Sequence, residues 1–162
     1  LFVNATGAAA DRVRLLANPA LAHRLRASKG AHLILPKTLL GGDTALLVPK
    51  TDDGRVIFVI PWQDHVLVGT TDTEAEPTGE PVLLETEVTY LLDYVRRYLD
   101  VEVSTTDVRA GFAGLRPLLQ ADPNAPSRTL VRDHEVEVDA ASGLVSILGG
   151  KWTTYRLMAQ DT

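Results

Sequence analysis

The stretch Leu144-Val-Ser-Ile-Leu-Gly149-Gly150-Lys151-Trp152-Thr153-Thr154-Tyr155-Arg156 decides how the rest of the chain is read. Leu144 to Leu148 reads as a buried strand, the glycine pair breaks it, and Thr153 onward reads as the opening of a helix. Glycines between a strand and a helix let a ligand approach bare backbone, and a helix start offers N–H groups at a positive dipole end. Lys151 adds a mobile cation, and Thr153 and Thr154 add hydroxyls. Such a turn suits something flat or anionic. A plain tight βα turn carrying a solvated lysine has the same spacing.

Working upstream, Arg128–Val138 reads as a strand that contains Arg132, and Asp139–Gly143 turns it into the quoted strand. Asp107–Leu115 is another strand, with Gly111 and Gly114 inside it, and it delivers Arg116-Pro117. Glycine within a strand signals close approach by a ligand or by another backbone. Ala121–Ser127 is loop. Glu85–Leu99 is the clearest helix: Val88, Leu91, Leu92, Val95 and Leu99 fall on one face, and Glu85 and Glu87 lie near its positive end. Its role is packing.

At the far end, Leu1–Val3 reads as a strand, Asn4-Ala-Thr-Gly7 as its exit turn, and Ala8–Leu16 as a helix. A strand, a small-residue turn and a helix is how a dinucleotide fold presents backbone to its ligand. The two terminal βα elements can therefore lie together around one ligand. Ala20–Arg26 suggests a further helical turn and Ser28-Lys29-Gly30 a break, followed by a strand Ala31–Leu35 that carries His32. Thr44–Val48 is a strand and Thr51-Asp-Asp-Gly54 a turn. Arg55–Ile60 and Val66–Gly69 form a hairpin with the longer loop Pro61-Trp-Gln-Asp-His65, and Gly69-Thr70-Thr71-Asp72 closes it.

The 162 residues are 45% hydrophobic, enough for a sizeable core, and their net charge of −5 argues against a nucleic-acid footprint. No cysteine is present, which excludes disulfides and thiolate metal sites. No run of about 18 apolar residues occurs. Leu1-Phe2-Val3 is already apolar strand, so we expect an internal piece of a longer protein. The pattern predicts an α+β fold, a mixed or mainly antiparallel sheet with covering helices. Physics alone stops at a sheet-based domain that helps bind an anionic ligand.

Six motifs then occur in one order: Ser28-Lys-Gly-Ala-His32, Phe58-Val-Ile-Pro-Trp62, Gly69-Thr-Thr-Asp72, Gly114-Leu-Arg-Pro117, Thr129-Leu-Val-Arg-Asp133 and Gly149-Gly-Lys-Trp-Thr-Thr-Tyr-Arg156. Together they resemble the FAD-dependent, quinone-linked glycerol-3-phosphate dehydrogenase family, of the D-amino-acid-oxidase-like superfamily. The resemblance implies that residues 1–27 end an FAD-binding domain, 28–143 form the substrate-binding domain and 144–162 return to the FAD-binding domain. It implies oxidation of sn-glycerol 3-phosphate to dihydroxyacetone phosphate, with electrons passed through FAD to quinone. The parent enzyme would lie at the periphery of the inner or cytoplasmic membrane.

By the same resemblance Arg116, Arg132 and Lys151 would hold the substrate phosphate, which suits planar guanidinium groups with lysine as a point charge. His32 would lie near the substrate hydroxyl, and either it or an arginine, with Arg116 the candidate, would take the proton. Gly7, Thr70, Gly149, Gly150 and Thr153 would lie against FAD. The family commonly has Gly-Pro-Trp where this chain has Gly7-Ala8-Ala9, so any packing by that tryptophan is lost. Two other readings stay open: a related flavin oxidase acting on an amine or amino acid, and a binding module without chemistry. Three cations favour a phosphate over a single carboxylate.

Overall fold

The computed structural model describes residues 1–77, 79–120 and 133–162. Arg132 and the first part of the strand expected over 128–138, up to residue 132, lie outside the described residues. In chain order the elements are β1 (Val3–Asn4), α1 (Ala10–Ala17), β2 (Leu25–Pro36), β3 (Leu46–Val48), β4 (Ile57–Trp62), β5 (His65–Gly69), β6 (Thr73–Ala75), α2 (Glu85–Leu99), β7 (Ala110–Leu119), β8 (His134–Val138), β9 (Val145–Gly149) and α3 (Tyr155–Asp161). Short 3-10 turns at Gly7–Ala9 and Trp152–Thr154 precede α1 and α3. The fold is α+β, with a parallel pairing of β1 with β9 and antiparallel pairings between β2 and β5, β3 and β4, β4 and β5, and β8 and β9.

The chain forms two compact units, Leu1–Ser28 with Glu74–Gly79 and Leu115–Thr162, and Lys29–Thr73 with Glu80–Gly114. The stretch expected to be the substrate-binding domain, 28–143, contributes to both units: Ser28, Glu74–Gly79, Leu115–Gln120 and residues 133–143 lie in the first. In the first unit the three strands run in the order β1-β9-β8, and Ala10, Leu25, Leu119 and Leu148 make a small buried core.

In the second unit β3, β4 and β5 lie side by side with the part of β2 from Lys29 onward. Alternation sets the faces: Leu33 and Leu35 on β2, Val66 and Val68 on β5, and Ile57 and Val59 on β4 are all buried in one cluster. The predicted apolar face of α2 covers that cluster with Leu91, Leu92 and Val95. The opposite sheet face carries His32, Phe58 and Gly69 in one cross-strand row.

Several local expectations are corrected. Ser28-Lys29-Gly30 does not break the chain but lies inside the 12-residue strand β2, because Lys29 is neutralised by a buried carboxylate described below. Ala20–Arg26 forms no helical turn; the Asp11 carboxylate accepts from the N–H groups of Arg24 (2.7 Å) and Leu25 (2.8 Å) and starts β2 instead. The hairpin loop shortens to Gln63-Asp64, since Trp62 pairs with His65 and Gln63 takes φ 54°. Pro61 is tolerated in β4 because β3 pairs only as far as Val59, so its missing N–H removes no ladder bond on that side. Arg116-Pro117 does not follow β7 but lies within it.

Candidate functional site

In the first unit β1 and β9 pair in parallel, with Val3 opposite Val145 and Asn4 opposite Ser146. Parallel strands end at the same side of a sheet, so the Gly7 turn and the Gly149-Gly150 turn follow neighbouring carboxyl ends. In open α/β sheets ligands bind outside those ends. Asn4, only 2% exposed, ties the two together: its amide donates to the Ala10 carbonyl (2.9 Å) and Ser146 Oγ (3.2 Å), and its Oδ1 accepts from Thr6 Oγ1 (2.7 Å).

The three glycines differ. Gly7 has φ +60°, and a Cβ built there meets nothing within 4 Å, so its outer face is open to a ligand. Gly149 has φ +70°, and a Cβ would stand 2.6 Å from the Asp133 carbonyl oxygen. At Gly150 the space anticipated for a ligand is filled by Met158, 2.5 Å from a built Cβ, and the Gly150 N–H already donates to the Asp133 carbonyl (3.0 Å). Thr153 is exposed in the 3-10 turn Trp152–Thr154, and the helix opens only at Tyr155. Lys151 is exposed, and no ion pair to it occurs among the described residues. Arg116 is half-buried, with Nη1 3.4 Å from Oγ of the fully buried Ser28.

In the second unit the His32 ring stacks on Phe112, with ring centroids 4.9 Å apart and planes 13° from parallel. Gly69 lies opposite it on β5, and a Cβ there would come within 2.3 Å of His32 Cδ2. The glycine is therefore what gives the imidazole its place. Thr70 follows directly, half-buried, its hydroxyl donating to the Thr71 carbonyl (3.0 Å). The structure thus groups Gly7, Gly149, Gly150, Lys151, Thr153 and Arg116 in one unit and His32 and Thr70 in the other.

Two buried polar clusters were not anticipated. In the first unit Arg14 bridges Asp11 Oδ1 (2.5 Å), Glu137 Oε1 (2.6 Å) and the Ala22 carbonyl (3.1 Å). Burial opposes its charge most, but bonds to Glu137 and Asp11 outweigh that and raise its pKa further. In the second unit Lys29 Nζ meets Glu87 Oε2 at 2.9 Å, with side chains only 11% and 5% exposed, and also donates to the Val82 carbonyl. No sequence period marks either cluster; the partners come from distant segments.

Burial raises the Glu87 pKa, yet the Leu84 N–H, the Lys29 ammonium and the Thr71 hydroxyl together hold it below 4.5. A depressed carboxyl stabilises the fold fully above its unfolded-state value and loses that contribution as pH falls through the folded-state value. The second unit should therefore weaken as pH drops below 4.5. Urea midpoints taken across that range should fall less steeply in Glu87→Gln than in the parent; equal slopes would remove Glu87 as the cause.

Residues 1–156 match the sequence profile of a protein family described as FAD dependent oxidoreductase. Human mitochondrial glycerol-3-phosphate dehydrogenase is 43% identical over 162 residues, which take in 99% of this chain and 22% of that protein. The probable mitochondrial glycerol-3-phosphate dehydrogenase of Caenorhabditis elegans is 43% identical over 164 residues, again 99% of this chain and 22% of its own length. Among solved structures, glycerol-3-phosphate dehydrogenase from Bacillus halodurans, complexed with FAD, superposes with TM-score 0.78 at 31% identity, covering 98% of this chain and 30% of that one. Glycine oxidase from Bacillus cereus shares the fold alone, with TM-score 0.58 at 14% identity over 96% of this chain and 38% of that one. With the family profile running through nearly every residue, including both glycine turns, the chain belongs to the FAD dependent oxidoreductases.

Proposed function

We propose that this chain is part of an FAD-dependent dehydrogenase that oxidises sn-glycerol 3-phosphate to dihydroxyacetone phosphate. The observation that carries the reading is the parallel β1–β9 pair, which sets two glycine turns at one end of one sheet. The open backbone face at Gly7 fits a flat or anionic cofactor, and Gly149 and the exposed Thr153 flank the same end. Gly150 serves that end through the shape of its turn, since its own N–H is engaged. FAD, when bound, supplies the acceptor for the hydride taken from the substrate carbon.

The chain's residues supply charge and a proton site. Arg116 and Lys151, with Arg132, would hold the phosphate dianion, and the buried Ser28 hydroxyl beside Arg116 limits the directions its guanidinium can take. His32 would accept the hydroxyl proton as the alcohol becomes a ketone, since Arg116 as a guanidinium already carries its proton; a stacked imidazole between Phe112 and Gly69 is well oriented for that task. Thr70 would contact the cofactor. Onward electron transfer to quinone and attachment at the periphery of the inner or cytoplasmic membrane are proposed from the similarity to the dehydrogenases. Among the described residues no helix is long and apolar enough to cross a membrane.

The test is Arg116→Ala in a full-length enzyme carrying this chain. We expect kcat/KM for glycerol 3-phosphate to fall by about 2–4 kcal/mol of transition-state binding, the scale of removing one partner from a hydrogen-bonded charge pair. Glycerol, which lacks the phosphate, should be oxidised equally poorly by both proteins. Unchanged kinetics on glycerol 3-phosphate would take Arg116 out of the site.

A further inference from the structure

The proposed function uses His32 and Thr70 but leaves unexplained why a lysine, a glutamate and a threonine are buried beside them. Thr71 is 1% exposed and Glu87 4%. The Thr71 Oγ1 accepts from the Ala31 N–H (2.9 Å) and donates to Glu87 Oε1 (3.1 Å). The Thr71 N–H in turn donates to the Ala31 carbonyl (3.4 Å). Glu87 is fixed from its other side by the Leu84 N–H (3.0 Å) and Lys29 Nζ (2.9 Å). Lys29 sits two residues before Ala31 on β2, so both ends of the chain of contacts return to the strand that carries His32.

We propose that Thr71, held by the Glu87–Lys29 pair at the start of α2, is a positioning residue that fixes the backbone of His32 and Thr70. The geometry argues this directly. Thr71 grips Ala31, the residue immediately before His32, by both its N–H and its C=O. Just past the end of β5, Thr71 follows Thr70 and lies two residues after Gly69, the partner that gives the imidazole its place. Its hydroxyl must both accept and donate, so its proton is committed to Glu87 and its lone pair to Ala31. A buried carboxylate with three partners allows little drift. The His32 backbone is thereby tied through two bonds to the N-terminus of a 15-residue helix whose apolar face is locked in the core. A misplacement of about 1 Å remote from the chemistry can cost on the order of 100-fold in rate, so such a tie is a functional requirement as well as a structural one.

This inference rests on the proposed role of His32, and a double-mutant cycle separates the two. Thr71→Val keeps the shape and deletes the hydroxyl; Glu87→Gln is kept as a second variant in case the first weakens folding. In a full-length enzyme carrying this chain, Thr71→Val should lower kcat on glycerol 3-phosphate by roughly tenfold, with KM and flavin absorbance nearly unchanged. Thr71→Ser, which retains the hydroxyl, should recover most of that loss. In a His32→Gln background the same Thr71→Val change should cost less than about twofold, because the group it positions is already gone. A purely structural threonine would cost the same factor in both backgrounds, and that result would overturn the proposal. So would a Thr71→Val enzyme with parental kcat while His32→Gln is crippled, which leaves the His32 reading intact. A fully active His32→Gln enzyme would overturn both.

Discussion

Replacing Arg14 with leucine should cost the first unit about 3–5 kcal/mol of stability, the range seen when one partner of a buried ion pair is removed. Arg14 is 3% exposed and its side chain forks between Asp11 and Glu137. Leucine supplies apolar volume but leaves the Asp11 carboxylate, itself 4% exposed, with the N–H groups of Arg24 and Leu25 and, at 3.6 Å, the exposed His23 ring. Glu137 keeps Arg24 at 3.2 Å and so suffers less. Arg14→Lys should fall between, since it restores a charge but not the planar fork. Urea midpoints read by a probe in β8 or β9, at constant m-value, would report the loss. A shift worth under about 1 kcal/mol would mean that the cluster is wetter than its burial indicates.

Gly149→Val is expected to be comparably severe, and for a different reason. The residue has φ +70°, where a β-branched side chain is strained by about 1–3 kcal/mol. Its Cβ would also press on the Asp133 carbonyl oxygen at 2.6 Å and on Leu119 Cγ at 3.0 Å. That oxygen belongs to backbone and cannot rotate away, so overpacking adds about 1–3 kcal/mol more. Gly7→Ala is the natural comparison, with a similar φ of +60° and nothing within 4 Å of the new methyl. It should lose only about 1–2 kcal/mol of stability. If FAD lies against that open face, Gly7→Ala should lower flavin absorbance out of proportion to its small effect on unfolding. Equal stability losses at the two glycines would show that the overlap at Asp133 relaxes away.

The parts of this molecule legible in its sequence are those set by periodicity and by punctuation. Val88, Leu91, Leu92, Val95 and Leu99 repeat at helical spacing over enough turns to define α2 from Glu85 to Leu99. The glycine turns announced themselves too, and the pairing of the terminal strands followed from reading them as two halves of one device. What stayed hidden depends on partners far away in sequence. Ser28-Lys29-Gly30 looks like a loop until Glu87 is placed beside Lys29, when it becomes mid-strand. Asp11 and Arg14 look like the polar side of a surface helix, and only Glu137, 123 residues from Arg14, shows why they are buried. For the site, residue types were visible but their occupied volumes were not. Nothing local says that Met158 fills the space over Gly150, or that Gly69 is small to admit an imidazole.

The β1–β9 pair also sets an order of assembly. Asn4 and Ser146 meet across 142 residues of chain, whereas β4 and β5 meet across a two-residue turn. Closing long loops is slow because their entropy is lost before any contact forms, and local hairpins escape that cost. During synthesis, every segment of the second unit leaves the ribosome before β8 and β9 exist. β1 must then wait for β9 before this pairing can form. The same pairing that sets the two glycine turns side by side is thus a late one to close, because its partners are far apart in sequence.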